Sequence, residues 1–249
     1  MPHFAAAAIN HWVAAHPTAQ IRTLVLGAPE VTAVRPGLES DASSLLYSAQ
    51  ITLLDAIRGM QTGYFTWSIV KCYYCAFYAV RSILAGNSIA LFYPQQSGTP
   101  YSLQVSIGQS PRKESGATHK VVWNIFRREF PNYALNNTIG LNRADDWLKD
   151  LRETLNYRNA RFVEPLVPSC LAVIDRIGLI RSLDLYRRDT TLLYSFDEDH
   201  AILAFPLECV RRCQQTLATV GIHLDANDTA HVESCLIGCG LPRDFFATL

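Results

Sequence analysis

Charge is scarce in this sequence, and it cancels. Asp, Glu, Lys and Arg make up 18% of the 249 residues, and 22 basic side chains face 22 acidic ones. Soluble chains usually carry about a quarter charged residues. The balance excludes a generic polycation that holds nucleic acid by bulk charge. Also missing is any uninterrupted apolar run of the about 18 residues that a membrane span needs. The richest stretch, Ile69 to Ala85, is interrupted by Lys71 and Arg81. The opening MPHFAAAAINHWVAAHP lacks the basic leader and long apolar core of a secretory signal. These features predict a cytoplasmic chain with no membrane segment. The signatures GxxxxGK[ST], GxGxxG after a strand, HExxH and GxSxG are absent too. No cofactor is expected.

What is present is apolar. Hydrophobic residues form 49% of the chain, which excludes wholesale disorder and allows a sizeable core. If part of that excess reaches the surface, a partner is expected to cover it. The seven cysteines are an odd number, as expected of free thiols in a reducing compartment. Cys72 and Cys75 form a CxxC inside the helical run KCYYCAFYAV, without a zinc-knuckle turn. Cys209/Cys213 and His231/Cys235/Cys239 fall at i, i+4 spacing, on single helix faces. Two such faces offer a tetrahedral donor set, but buried thiols are the simpler reading and no metal is predicted.

Periodicity predicts a mainly α fold. A short helix over Ala5–Ala15 stops at Pro17, and IRTLVLGAPEVTAVRPG reads as a connector. Ser40 and Asp41 are candidate N-caps for a helix over 43–60. WSIVKCYYCAFYAVRSILAG is apolar nearly all round and belongs in a core. IALFY and YSLQVSI flank the turn-rich PQQSGTP and predict a β-hairpin, followed by the polar loop SPRKESGAT. Thr118 is a candidate cap for HKVVWNIFRREF. DDWLKDLRETLNYRNARF and SCLAVIDRIGLIRSLDLYRR are helical in pattern. TLLYSF and AILAF, joined by DEDH, predict a second hairpin; Pro206 then opens the helix PLECVRRCQQTLATVGI. A short helix surrounds HVESCLIGCG. The segments divide as 1–39, 40–165 and 166–249, the last a mostly helical extension that suits a partner-binding module.

Four blocks in order carry a resemblance. A long helix at 43–60 precedes Tyr73-Tyr74-Cys75-Ala76-Phe77-Tyr78 with Arg81. His119 with Val121 and Phe126 follows, then Arg152 with Asn156-Tyr157. This order, over about residues 40 to 165, resembles the HEPN family, the small helical-bundle domains of prokaryotic toxin–antitoxin and anti-phage systems. The resemblance implies an antiparallel helical bundle, here with two small β-hairpin insertions and a helical C-terminal extension. In active members an Arg followed by a polar residue precedes a His a few residues on, and two copies cleave RNA across a dimer axis without a metal. There Arg stabilises phosphate charge and His moves the proton.

Arg152-Glu153 matches the opening of that motif, but Tyr157, Arg158 and Asn159 stand where the histidine is due, and the next is His200. A phenol with an ordinary pKa of about 10 is a poor base near neutral pH. The resemblance therefore implies a non-catalytic subunit of a defence or toxin–antitoxin assembly, working as a homodimer or with a neighbour-encoded protein. One alternative is a metal-independent RNase with a rearranged site of Arg152, Tyr157 and His119. Another is a nucleic-acid or nucleotide sensor. Arg127, Arg128, Arg158 and Arg161 are the candidate RNA or partner contacts, and Arg187-Arg188 and Arg211-Arg212 are further basic doublets.

Overall fold

A computed structural model describes residues 3–94, 98–158 and 160–246. The turn residues 95–97 and Asn159 lie outside the described residues. The protein is mainly helical with two small antiparallel sheets among the described residues. Its helices are α1 Phe4–Ala14, α2 Ala28–Gln61, α3 Phe65–Gly86, α4 Thr118–Glu129, α5 Ala144–Asn156, α6 Ala172–Ile177, α7 Leu179–Arg188, α8 Leu193–Phe196, α9 Ala201–Thr219 and α10 Ala226–Gly238. Among the described residues no helix is long and apolar enough to cross a membrane. The chain forms two compact units: Met1–Leu45 with Val80–Pro131 and Thr216–His223, and Leu46–Ala79 with Asn132–Gln215 and Leu224–Leu249.

In the first unit α1 forms as expected, but α2 begins far earlier than the candidate caps. The stretch read as a connector supplies its first turns. Gly27 stands before the helix, Pro29 sits in the first turn where no N–H is needed, and Glu30 Oε2 accepts the Gly27 N–H at 2.9 Å. Pro36 lies inside α2, where the missing N–H costs one helical bond. Asp41 is therefore mid-helix and caps a different one. Its carboxylate accepts the N–H groups of Phe4 at 2.8 Å and Ala5 at 3.1 Å, at the start of α1.

The first predicted hairpin is present. Strands β1 Ile89–Phe92 and β2 Tyr101–Gln104 pair antiparallel, with Ile89 opposite Gln104 and Phe92 opposite Tyr101. Arg112–Lys113, read as loop, adds a short β3 beside Tyr101–Ser102. Phe92, Leu103, Val122, Ile125 and Phe126 are buried in this unit.

The second unit corrects the second hairpin. TLLYSF contains the single turn α8, and AILAF opens α9 rather than a strand. Every residue from Ala201 to Val210 is buried, so the run is apolar on all sides, and such a run looks alike in a buried strand or a buried helix. Pro206 is inside α9, not at its first turn. The second sheet instead joins β4 Thr138–Ile139 to β5 Asn142–Arg143 around Gly140. The helical pattern over 169–188 is split at Gly178, whose φ of 96° ends α6 before α7 begins. Ile69, Cys72, Tyr73, Cys75 and Ala76 of α3 are buried here with Leu148 and Leu155 of α5.

Candidate functional site

Helix α5 carries the candidate residues Arg152 and, just past its end, Tyr157. Asp145 and Asp146 occupy its first turn, where carboxylates suit the helix dipole. Arg152 faces inward, its side chain only 12% exposed. Its guanidinium carbon lies 4.6 Å from the centroid of the Tyr73 ring on α3 and 5.7 Å from that of Tyr157. One Nη donates to Glu153 at 3.4 Å, while the buried Nε has no hydrogen-bond partner among the described residues. Glu153 also draws Lys149 and Arg158 to 3.8 Å each. Burial pushes the Tyr73 phenol well above its ordinary value, a shift that the nearby Arg152 charge opposes. The Tyr73 hydroxyl therefore stays protonated.

Beyond α5 the chain returns to the start of α3. The Glu164 carboxylate accepts the Thr66 N–H at 2.6 Å and the Thr66 hydroxyl at 2.8 Å, and the Val163 N–H reaches the same hydroxyl at 3.4 Å. A side chain distant in sequence thus serves as a cap for α3. Phe162 meets Trp67 edge to face, ring centroids 6.0 Å apart. Among the side chains of these segments Tyr157 is 68% exposed and Leu166 74%, with Tyr64, Trp67, Phe162 and Val167 also exposed. Arg158 and Arg161 are exposed in the same segment.

The structure brings Arg152, Tyr157 and Arg158 into one neighbourhood. His119, half-buried on α4, belongs to the first unit, whereas Arg152 and Tyr157 belong to the second. Thr118 is the first residue of α4 rather than its cap, and its hydroxyl pairs with that of Tyr93 at 2.6 Å. Arg127 donates to Asn124 at 2.8 Å. Arg128 bonds Glu114 at 2.9 Å, Glu129 at 2.7 Å and Ser102 at 3.2 Å, tying α4 to the sheet.

No protein-family model matches this chain, and no curated protein and no solved structure is found similar to it. The other basic doublets are engaged by acids: Arg187 and Arg188 by Asp184, and Arg211 and Arg212 by the buried Glu208. Among the described residues no group of three His, Cys, Asp or Glu side chains is placed to hold a metal. Cys72, Cys75 and Cys209 are fully buried, which pushes their thiols well above the ordinary range.

Sequence reasoning missed Glu153 as the centre of the Arg152 charge cluster, and Glu164 as the cap of α3. Charge spacing along α5 offered a signal for Glu153, since Lys149 precedes it by four residues. Nothing local marks Glu164.

Proposed function

We infer that this chain is a non-catalytic helical subunit, similar to HEPN-family domains that lack the RNase histidine, in a prokaryotic defence or toxin–antitoxin assembly. It works by self-association and by contact with a neighbour-encoded protein. The observation that carries the reading is the set of exposed apolar side chains Tyr157, Phe162, Leu166 and Val167, with the exposed Tyr64 and with Trp67 packed on Phe162. Large apolar side chains gathered at a surface mark an interaction site more often than a solvated one. Arg152 supports the same reading. Its guanidinium spends one face on Tyr73 and an N–H on Glu153, where a catalytic arginine would present its fork to a phosphate.

The test is assembly state. Light scattering and sedimentation of the purified chain should show a dimer, or a stable complex when it is co-expressed with the product of an adjacent gene. Leu166→Asp should dissociate either. A monomer that captures no such product overturns the reading. The RNase alternative has one supporting feature, the closeness of Arg152 and Tyr157. It requires RNA loss on expression that Arg152→Ala abolishes; equal RNA levels for both proteins exclude it.

A further inference from the structure

The face of α10 that carries His231 and Cys235 has its own chemistry. The helix is capped by Asp225, whose carboxylate accepts the Asp228 N–H at 2.8 Å, and the next turns present His231 and Cys235 together. His231 Nε2 lies 3.6 Å from the Cys235 sulfur. Its other nitrogen, Nδ1, lies 2.6 Å from the Tyr47 hydroxyl on α2, with the two rings 5.9 Å apart. A nucleophile beside a base, with the base held by a third group, is the arrangement that activates weak nucleophiles.

The surroundings fit that role. The Asp228 carboxylate, one turn before His231, interacts electrostatically with the imidazole. Burial, Asp228 and Cys235 all push the Tyr47 phenol up, so it remains a neutral hydroxyl beside Nδ1. On the adjoining turn, Asp55 and Arg58 of α2 interact electrostatically with Cys239. The remaining cysteines are poorer candidates. Cys72, Cys75, Cys209, Cys213 and Cys239 are buried, and Cys75 and Cys239 donate to the carbonyls of Pro206 and Leu54. Cys170 is partly accessible, but burial pushes its thiol up to about 11.

We propose that Cys235 is a base-activated nucleophile and a covalent modification site for a small electrophilic carbon bearing a leaving group, with His231 as its base and Tyr47 as a positioning residue. In the step, the S–H proton passes to His231 Nε2 and the sulfur electron pair forms an S–C bond. The bond to the leaving group breaks, and that group departs with its electrons. Nδ1 carries its own proton and donates to the Tyr47 oxygen throughout.

Limited alkylation of the full chain with iodoacetamide near neutral pH, read by peptide mass mapping, tests this. Cys235 should be carbamidomethylated first, ahead of Cys170. His231→Gln should slow that reaction by at least about 10-fold, the low end of what a positioned base provides. Tyr47→Phe should slow it less. Cys170 is the internal reference: a variant that loosens the fold speeds Cys170, whereas loss of the base slows Cys235 alone. Reaction at any other cysteine first, or His231→Gln reacting at the wild-type rate, overturns the proposal.

Discussion

The guanidinium of Arg152 on α5 sits 4.6 Å above the ring of Tyr73 on α3. This links two helices through a charge that is largely withdrawn from water. A cation over an aromatic face contributes about 0.5–2 kcal/mol, more as the pair is desolvated, and the arginine stem adds buried apolar area. Arg152→Ala should therefore lower unfolding stability by about 1–2 kcal/mol, and Arg152→Lys should recover part of the loss. Denaturant midpoints measure this. A midpoint unchanged in Arg152→Ala would show that the stacking contributes nothing.

Asp41 should behave as a cap although it lies mid-helix in sequence terms. It satisfies the first N–H groups of α1. Asp41→Ala should cost about 1 kcal/mol, the usual loss of a helix cap. Amide exchange in α1 should accelerate while the Ile69–Ala76 stretch of α3 keeps its protection.

Glu164 gives a pH dependence. Burial pushes its carboxyl up, but the Thr66 N–H and hydroxyl outweigh that and hold it below its usual value. A carboxyl lowered in the folded state stabilises above the unfolded range, about 4, and loses that contribution as acid protonates the folded group. The midpoint difference between wild type and Glu164→Gln should be clear at pH 7 and shrink as the pH falls below that range. A gap that widens in acid would reverse the assigned sign.

Gly37, at the end of the stretch read as a connector, is needed for close approach. A Cβ there would sit 2.7 Å from the Ala5 nitrogen and 2.9 Å from the Phe4 carbonyl carbon. Alanine gains about 1 kcal/mol in helix propensity, but backbone cannot yield as a side-chain tip does, and overpacking costs about 1–3 kcal/mol. Gly37→Ala should be net destabilising in thermal melts. A stabilised variant would mean that α1 shifts without cost.

Glu208 is 3% exposed between Arg211 and Arg212 on α9. Removing one partner of a fully buried pair costs about 3–5 kcal/mol. Both arginines retain a route to water, so Glu208→Ala should cost less, about 2 kcal/mol, in chemical denaturation.

Legibility in the sequence tracked the range of the forces involved. The helix ending in Gly86, the helix of α4 and the Ile89–Gln104 hairpin follow from periodicity and turn residues, and all are present. The signals for the start of α2 were also local, since Pro29 and Glu30 mark a first turn. Pro and Gly, which elsewhere break helices, mask them. The run AILAF was ambiguous for a deeper reason: a segment buried on every side has no polar stripe to report its period.

For the candidate site, the sequence grouped Arg152 and Tyr157 in one helical block and marked the missing histidine. It also placed His231 and Cys235 on one face of α10. It could not show that Tyr73 takes the Arg152 charge, that Glu164 caps α3, or that Tyr47 meets His231. By itself the sequence determined composition, helical period, turn chemistry and the absence of a catalytic signature, because each is carried by residues a few positions apart. Only the tertiary structure decided which charged groups are already engaged and which thiol has a base beside it. Those pairings join segments as far apart as residues 47 and 231, where no local spacing constrains the partners.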